Sequence, residues 1–224
     1  MQPRSAEERR AELVQLYREA EVCARCPLSK TRTRVVFGAG NADADLMFVG
    51  EAPGMHEDQQ GLPFVGRAGA LLNKLLEEIG LSREEVFIAN VLQSRPPGNR
   101  DPQPDEIDAC KPFLHRKIEL IEPKVLCTLG NFSTKLLTRS QRGITSVHGK
   151  PQVHELGGRL LRVYPLFHPA AALRSTKTLA DLRADFARLP ALLEEPPPVP
   201  IGAVAPVAVA AAQPAEPTPP TLFD

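Results

Sequence analysis

Four short apolar runs set the frame of this chain: Leu46–Val49, Val86–Leu92, Val125–Leu129 and Leu160–Phe167. Each has the length of a strand, and each ends in a loop. Segments of helical period stand between them. Leu71, Leu72, Leu75, Leu76 and Ile79 make one apolar stripe, closed by Gly80. Ile107, Cys110, Leu114, Ile118 and Ile121 make another, opened after Pro104 and bounded by Pro123. Pro112 falls inside the second stripe, so a kink or a break is expected there. Strands alternating with helices predict a three-layer α/β/α fold around a central four-stranded, mostly parallel sheet.

Two more helices frame this unit. Ser5 and Glu8 fit a capping box, and Leu13, Leu16, Tyr17 and Ala20 follow at helical spacing. A last helix is expected from about Leu179 to Leu193. Beyond it the composition changes. Nine of the 23 prolines fall in Pro196–Asp224, among Ala and Val and without one basic residue. The reading is one domain over 1–195 and a disordered Pro/Ala-rich tail over 196–224.

The formal net charge of zero conceals an asymmetry. All 27 Lys and Arg residues precede position 189, whereas four of the 27 acids follow it. The body therefore carries 27 basic against 23 acidic residues, a balance that permits DNA binding without demanding it. No run approaches the roughly 20 apolar residues of a membrane helix. The first 21 residues are too charged for a secretory signal. A cytoplasmic monomer is the expectation.

Of the four cysteines, Cys23 and Cys26 form a C-x-x-C pair that points to a metal or redox site. Cys110 and Cys127 stand far along the chain, where two partners would complete a four-thiolate cage. Disulfides are not expected in a cytosolic chain of this size.

In open α/β sheets, ligands bind beyond the carboxyl ends of the strands. The first run here opens into Gly50-Glu51-Ala52-Pro53-Gly54, the second carries Asn90, and the last ends at His168-Pro169. Glu51, Asn90 and His168 thus converge on one crevice, with Gly50 and Gly54 allowing close backbone approach. Each also has an ordinary reading: a surface acid, a satisfied buried amide, a loop histidine.

Longer segments carry a resemblance. GEAPGMHEDQQGLPFVGRAGALLN (Gly50–Asn73), FIANVLQSRPPGNRDPQPDE (Phe87–Glu106) and FHPAAALR (Phe167–Arg174) resemble, in order and spacing, the motifs of the family 4 uracil-DNA glycosylases. The early C-x-x-C followed by KTRTRVVFGAGN (Lys30–Asn41) agrees, and the likeness covers about residues 20–190. It implies the uracil-DNA glycosylase fold and hydrolysis of the N-glycosidic bond of deoxyuridine in single- or double-stranded DNA. Such an enzyme flips the nucleotide out of the helix and stabilises charge on the departing base.

The resemblance implies roles. His168 donates to the developing oxyanion, Asn90 reads the Watson–Crick edge of uracil, and Phe64 stacks on the base, although a core Phe is its alternative. Glu51 positions a water or stabilises the sugar cation. Gly50 and the backbone around Ala52 hold the base. Glu57 crowds the C5 face and rejects thymine. Ala170, Ala171, Ala172, Leu173 and Arg174 enter the minor groove. Relatives often carry bulkier residues at Ala171 and Ala172, so a small wedge here implies a preference for looser sites.

The family also implies a structural 4Fe–4S cluster. Cys23, Cys26 and Cys110 match three ligands, but Ser94-Arg95-Pro96-Pro97 stands where a Cys-Arg-Pro-Pro segment is usual. Cys127 or Ser94 is the candidate for the fourth corner, and zinc is an alternative occupant. The ending Leu222-Phe223 resembles motifs that dock repair enzymes on sliding clamps, without the usual glutamine. No lysine is placed as an evident Schiff-base nucleophile, so strand cleavage is not expected. Two other readings remain. One is a different superfamily specificity, against which Glu51 and the RPPGNR loop speak. The other is a non-catalytic DNA-binding module, against which intact Glu51, Asn90 and His168 speak.

Overall fold

The computed structural model describes residues 4–199. Residues 200–224, with Leu222 and Phe223, lie outside the described residues. The chain runs through α1 (Ala6–Glu21), β1 (Ala39–Gly40), β2 (Leu46–Gly50), α2 (Met55–Gln60), α3 (Arg67–Glu78), β3 (Phe87–Asn90), α4 (Pro104–Ile121) and β4 (Val125–Leu129). It continues through α5 (Asn131–Thr138), α6 (Ile144–Val147), β5 (Gln152–Leu156), β6 (Arg159–Leu166), α7 (Pro169–Ala172), α8 (Thr176–Phe186) and α9 (Leu189–Glu194). Among the described residues no helix is long and apolar enough to cross a membrane.

Among the described residues the sheet has six strands in the order β1-β3-β2-β4-β6-β5. The four predicted runs are its parallel centre. The two antiparallel edges escaped the sequence reading. β1 is only two residues long, and β5 alternates half-buried Gln152 and His154 with exposed Val153 and Glu155 before the buried Leu156. Neither is a hydrophobic run, because an edge strand with one wet face does not need to be one.

Side chains along the central strands alternate between two apolar layers. Leu46 and Phe48 join Ile88, Cys127, Leu129 and Tyr164 against α3, α8 and α9. Met47 and Val49 join Ala89, Leu126 and Val163 against Cys110, Leu114, Ile118 and Ile121 of α4. The predicted three layers are therefore present.

Two helices depart from expectation. Pro112 does not break α4, which is assigned as one helix of 18 residues. Its apolar stripe, buried against the sheet, outweighs the one hydrogen bond that proline removes. The single helix expected at the C-terminus is instead two, α8 and α9. They part at Ala187–Arg188, just before Pro190 in the first turn of α9. Proline suits a first turn and not an interior.

The chain passes from β2 outward to β3, then returns to the other side of β2 with β4. That reversal leaves a crevice at the carboxyl ends of β2 and β4.

Candidate active site

A cleft of about 550 Å³ opens there. Glu51, Ala52, Gly54, Glu57, Phe64, Asn90, His168, Ala170, Ala171 and Arg174 all line it. The pairing register explains the meeting of the first two segments. Gly50 is the lateral partner of Asn90 in the β2–β3 ladder. Val91 N–H and Leu92 N–H then donate to the carbonyls of Gly50 and Glu51 at 3.0 Å, which carries the pairing past the strand ends.

Gly50 is required for space. A β-carbon there would stand 2.7 Å from the Phe64 ring and collide with the Asn90 carbonyl oxygen. Asn90 is 2% exposed, and its Oδ1 has no hydrogen-bond partner among the described residues. An unsatisfied buried acceptor is costly, about 1–3 kcal/mol, and this one is open to a donor from a ligand or water in the cleft.

His168 follows β6 and caps α7. Its Nδ1 accepts from the Ala170 N–H at 3.1 Å, so the ring proton sits on Nε2. Burial pushes the imidazole pKa down to about 4, with the Glu57 charge opposing weakly. The ring is therefore a neutral donor at physiological pH. Gly130, at φ +90°, leaves room beside its β-carbon. The preceding Phe167 packs on His148 with centroids 4.2 Å apart, and Asp185 holds that imidazole at 2.7 Å.

The Phe64 ring lies 5.5 Å from the His168 ring at an interplanar angle of 29°. It is 6% exposed and belongs to the core cluster as well as to the cleft, so both readings of it hold at once. Its backbone has φ +52°. For a residue with a bulky side chain that conformation costs about 1–2 kcal/mol.

Glu51 carries a carboxyl whose pKa is raised, by burial first and by Asp101 second. Glu57 lines the cleft with its carboxylate already engaged. Its carboxylate accepts from the N–H of Gly54 at 3.1 Å, Val65 at 2.9 Å and Gly66 at 3.0 Å. It therefore ties the start of α2 to the loop that bears Phe64.

The segment after His168 divides. Ala170, Ala171 and Arg174 face the cleft, and Leu173 is 41% exposed beside them. Ala172 is corrected: it is 3% exposed and packs into the core, so it is not part of a wedge. Helical period turns this position inward while its neighbours face out.

Several residues of the cleft went unnamed in the sequence reading. Pro96, Asn99, Arg100 and Asp101 form one wall. Arg100 fastens that wall to α4 through the buried Glu106, at 2.6 and 3.0 Å. The polar run Asn99-Arg100-Asp101, inside a segment already singled out, was the available signal.

The uracil DNA glycosylase superfamily model matches residues 37–189. The chain belongs to this superfamily. Within the superfamily it is similar to proteins named "Type-4 uracil-DNA glycosylase". That of Sulfurisphaera tokodaii is 45% identical over 79% of this chain and 83% of the relative. That of Saccharolobus solfataricus is 46% identical, over 80% of this chain and 85% of the relative. That of Thermotoga maritima is 46% identical, over 74% of this chain and 86% of the relative. The superfamily match takes in every described residue of the cleft.

In this glycosylase the cysteines separate. Cys127 is corrected as a ligand candidate. It is fully buried in β4, flanked in the sheet by Phe48 and Tyr164, and packs on the α3 and α8 side. Burial alone pushes its thiol pKa well up. Cys110 and Cys26 lie in the other layer, and the Cys110 thiol pKa is raised, by burial first and then by neighbours that include Cys26 and Cys23. The sheet stands between. Ser94 is 3% exposed. Among the described residues no three His, Cys, Asp or Glu side chains form a group that would hold a single metal ion.

Proposed function

We propose that this cleft excises uracil from DNA by hydrolysing the N-glycosidic bond, and leaves an abasic site. The observation that carries the reading is the unpartnered, buried Asn90 oxygen facing a cleft that also presents a neutral His168 and the Phe64 ring. The Asn90 amide offers an acceptor and a donor, as the N3–H and O4 edge of uracil requires. The Nε2–H of His168 donates to O2 as the departing base takes up negative charge, without needing a proton of its own to give. Phe64 supplies the stacking face.

The C1′–N1 bond breaks as its electron pair passes to uracil N1. Water adds to the sugar carbon, and its proton goes to Glu51 or through it to solvent. Ionised Glu51 also stabilises the cationic sugar before the water arrives. Among the described residues no lysine lines the cleft. Ala170, Ala171, Leu173 and Arg174 meet the DNA beside the flipped nucleotide. The test is incubation with oligonucleotides bearing U·G, U·A or single-stranded uracil, followed by alkali. Cleavage is expected from the intact protein. His168→Ala and Asn90→Ala are each expected to slow it by roughly 10²–10³-fold, the cost typical of one lost oxyanion donor. No abasic sites with any substrate would overturn the reading.

Cys23, Cys26 and Cys110 would hold three corners of a 4Fe–4S cluster with soft thiolates, and Ser94 is the candidate for the fourth. When bound, the cluster would pin the segment after α1 to α4, a structural service. A brown protein with sulfide-to-iron absorption supports this reading, and a colourless protein holding one zinc ion opposes it. A sliding clamp that takes Leu222-Phe223 is the partner expected for the tail. Clamp binding unchanged by truncation would end that idea.

A further inference from the structure

Phe64 is built into its place from behind. Its left-handed backbone turns the Pro63 and Phe64 carbonyls toward Arg83, which comes from the turn between α3 and β3. Arg83 Nη1 donates to the Phe64 carbonyl at 3.0 Å and to Asn73 Oδ1 at 3.3 Å, while Nη2 donates to the Pro63 carbonyl. The same loop is held from its other side by Glu57, through Val65 and Gly66. Gly69 makes room: a β-carbon there would collide with the Phe64 carbonyl. Arg83 itself does not line the cleft.

We propose that Arg83 is a positioning residue that holds the Phe64 ring at the height and tilt needed to stack on the extruded base. The role rests on the uracil reading of the cleft. A guanidinium suits it because its planar fork reaches two successive carbonyls and a side-chain amide at once. An ammonium is a point donor and spans fewer of these acceptors. Without the fork, the loop relaxes from its left-handed turn, and the ring leaves its place beside His168 while the sheet and helices stay folded.

A double-mutant cycle tests the assignment, with excision rates and thermal midpoints measured for the wild type, R83M, R83K, F64A and R83M/F64A. R83M is expected to slow excision about tenfold or more, because small misplacement of a positioned group is costly. R83K is expected to recover part of that loss. In the F64A background, R83M is expected to change the rate less than about twofold, because the ring through which Arg83 acts is gone. Equal slowing in both backgrounds overturns the assignment, since a loss of folded protein acts whether or not the ring is present. Wild-type activity retained by R83M also overturns it. A wild-type protein that releases no uracil under the same conditions overturns the reading of the cleft itself, which separates the two failures.

Discussion

His168 shows how one side chain ties chemistry to stability. Its ordinary pKa of 6.5 falls to about 4 on burial. Between those values the unfolded chain binds a proton that the folded chain refuses, so stability falls as pH drops through this window. A thermal midpoint that declines between about pH 6.5 and pH 4 in the wild type, and less so in His168→Ala, is the expected result. Glu51 behaves in the opposite sense. Its raised pKa keeps the carboxyl protonated to higher pH than an ordinary glutamate. The acid limb of the pH–rate profile is therefore expected at higher pH than an ordinary glutamate would set. Asp101→Asn removes one of its two causes, and the limb is expected to move to lower pH in single-turnover rates. A limb that stays in place would separate Asp101 from Glu51.

Among elements, the wall formed by residues 96–101 depends on the start of α4. Glu106 accepts from Arg100 twice and from the Gln103 N–H at 2.8 Å, so it caps the helix and anchors the wall together. Glu106→Ala is expected to cost about 1–3 kcal/mol, since it leaves a cap and a guanidinium without their acceptor. At roughly 2–4 °C per kcal/mol, thermal melting resolves that loss. Elements were legible in the sequence to the degree that they bury apolar surface. The four central strands are continuous apolar runs, and α3 is a clear stripe. β1 and β5 are edges with little to bury, and α8 and α9 are one apolar stripe split by backbone chemistry at Pro190.

At the scale of the whole molecule, the residues described, 4–199, include every described residue of the cleft. Arg162 reaches the Glu195 carboxylate at 2.8 Å and the Pro196 carbonyl at 3.1 Å, so the domain extends slightly past its expected boundary at 195. Truncation after Val199 is therefore expected to leave the circular dichroism, the melting temperature and the excision rate unchanged. A fall in any of them would give the tail a part in the fold or the reaction. Cutting after Glu195 is a harsher test, because it removes the Pro196 acceptor.

The alternation of strands and helices, the candidate trio Glu51, Asn90 and His168, and the family motifs were all legible along the chain, because each is carried by residues close in sequence. Tertiary structure decided what depends on facing direction and on contact between distant segments. It turned Cys127 to the far side of the sheet and Ala172 into the core, a difference of one step in strand or helix phase. It committed the Glu57 carboxylate to backbone donors eight and nine residues away. It also brought Arg83, which has no motif of its own, under the Phe64 loop. A side chain's partners across loops are set by how the layers pack, and local periodicity carries no record of that.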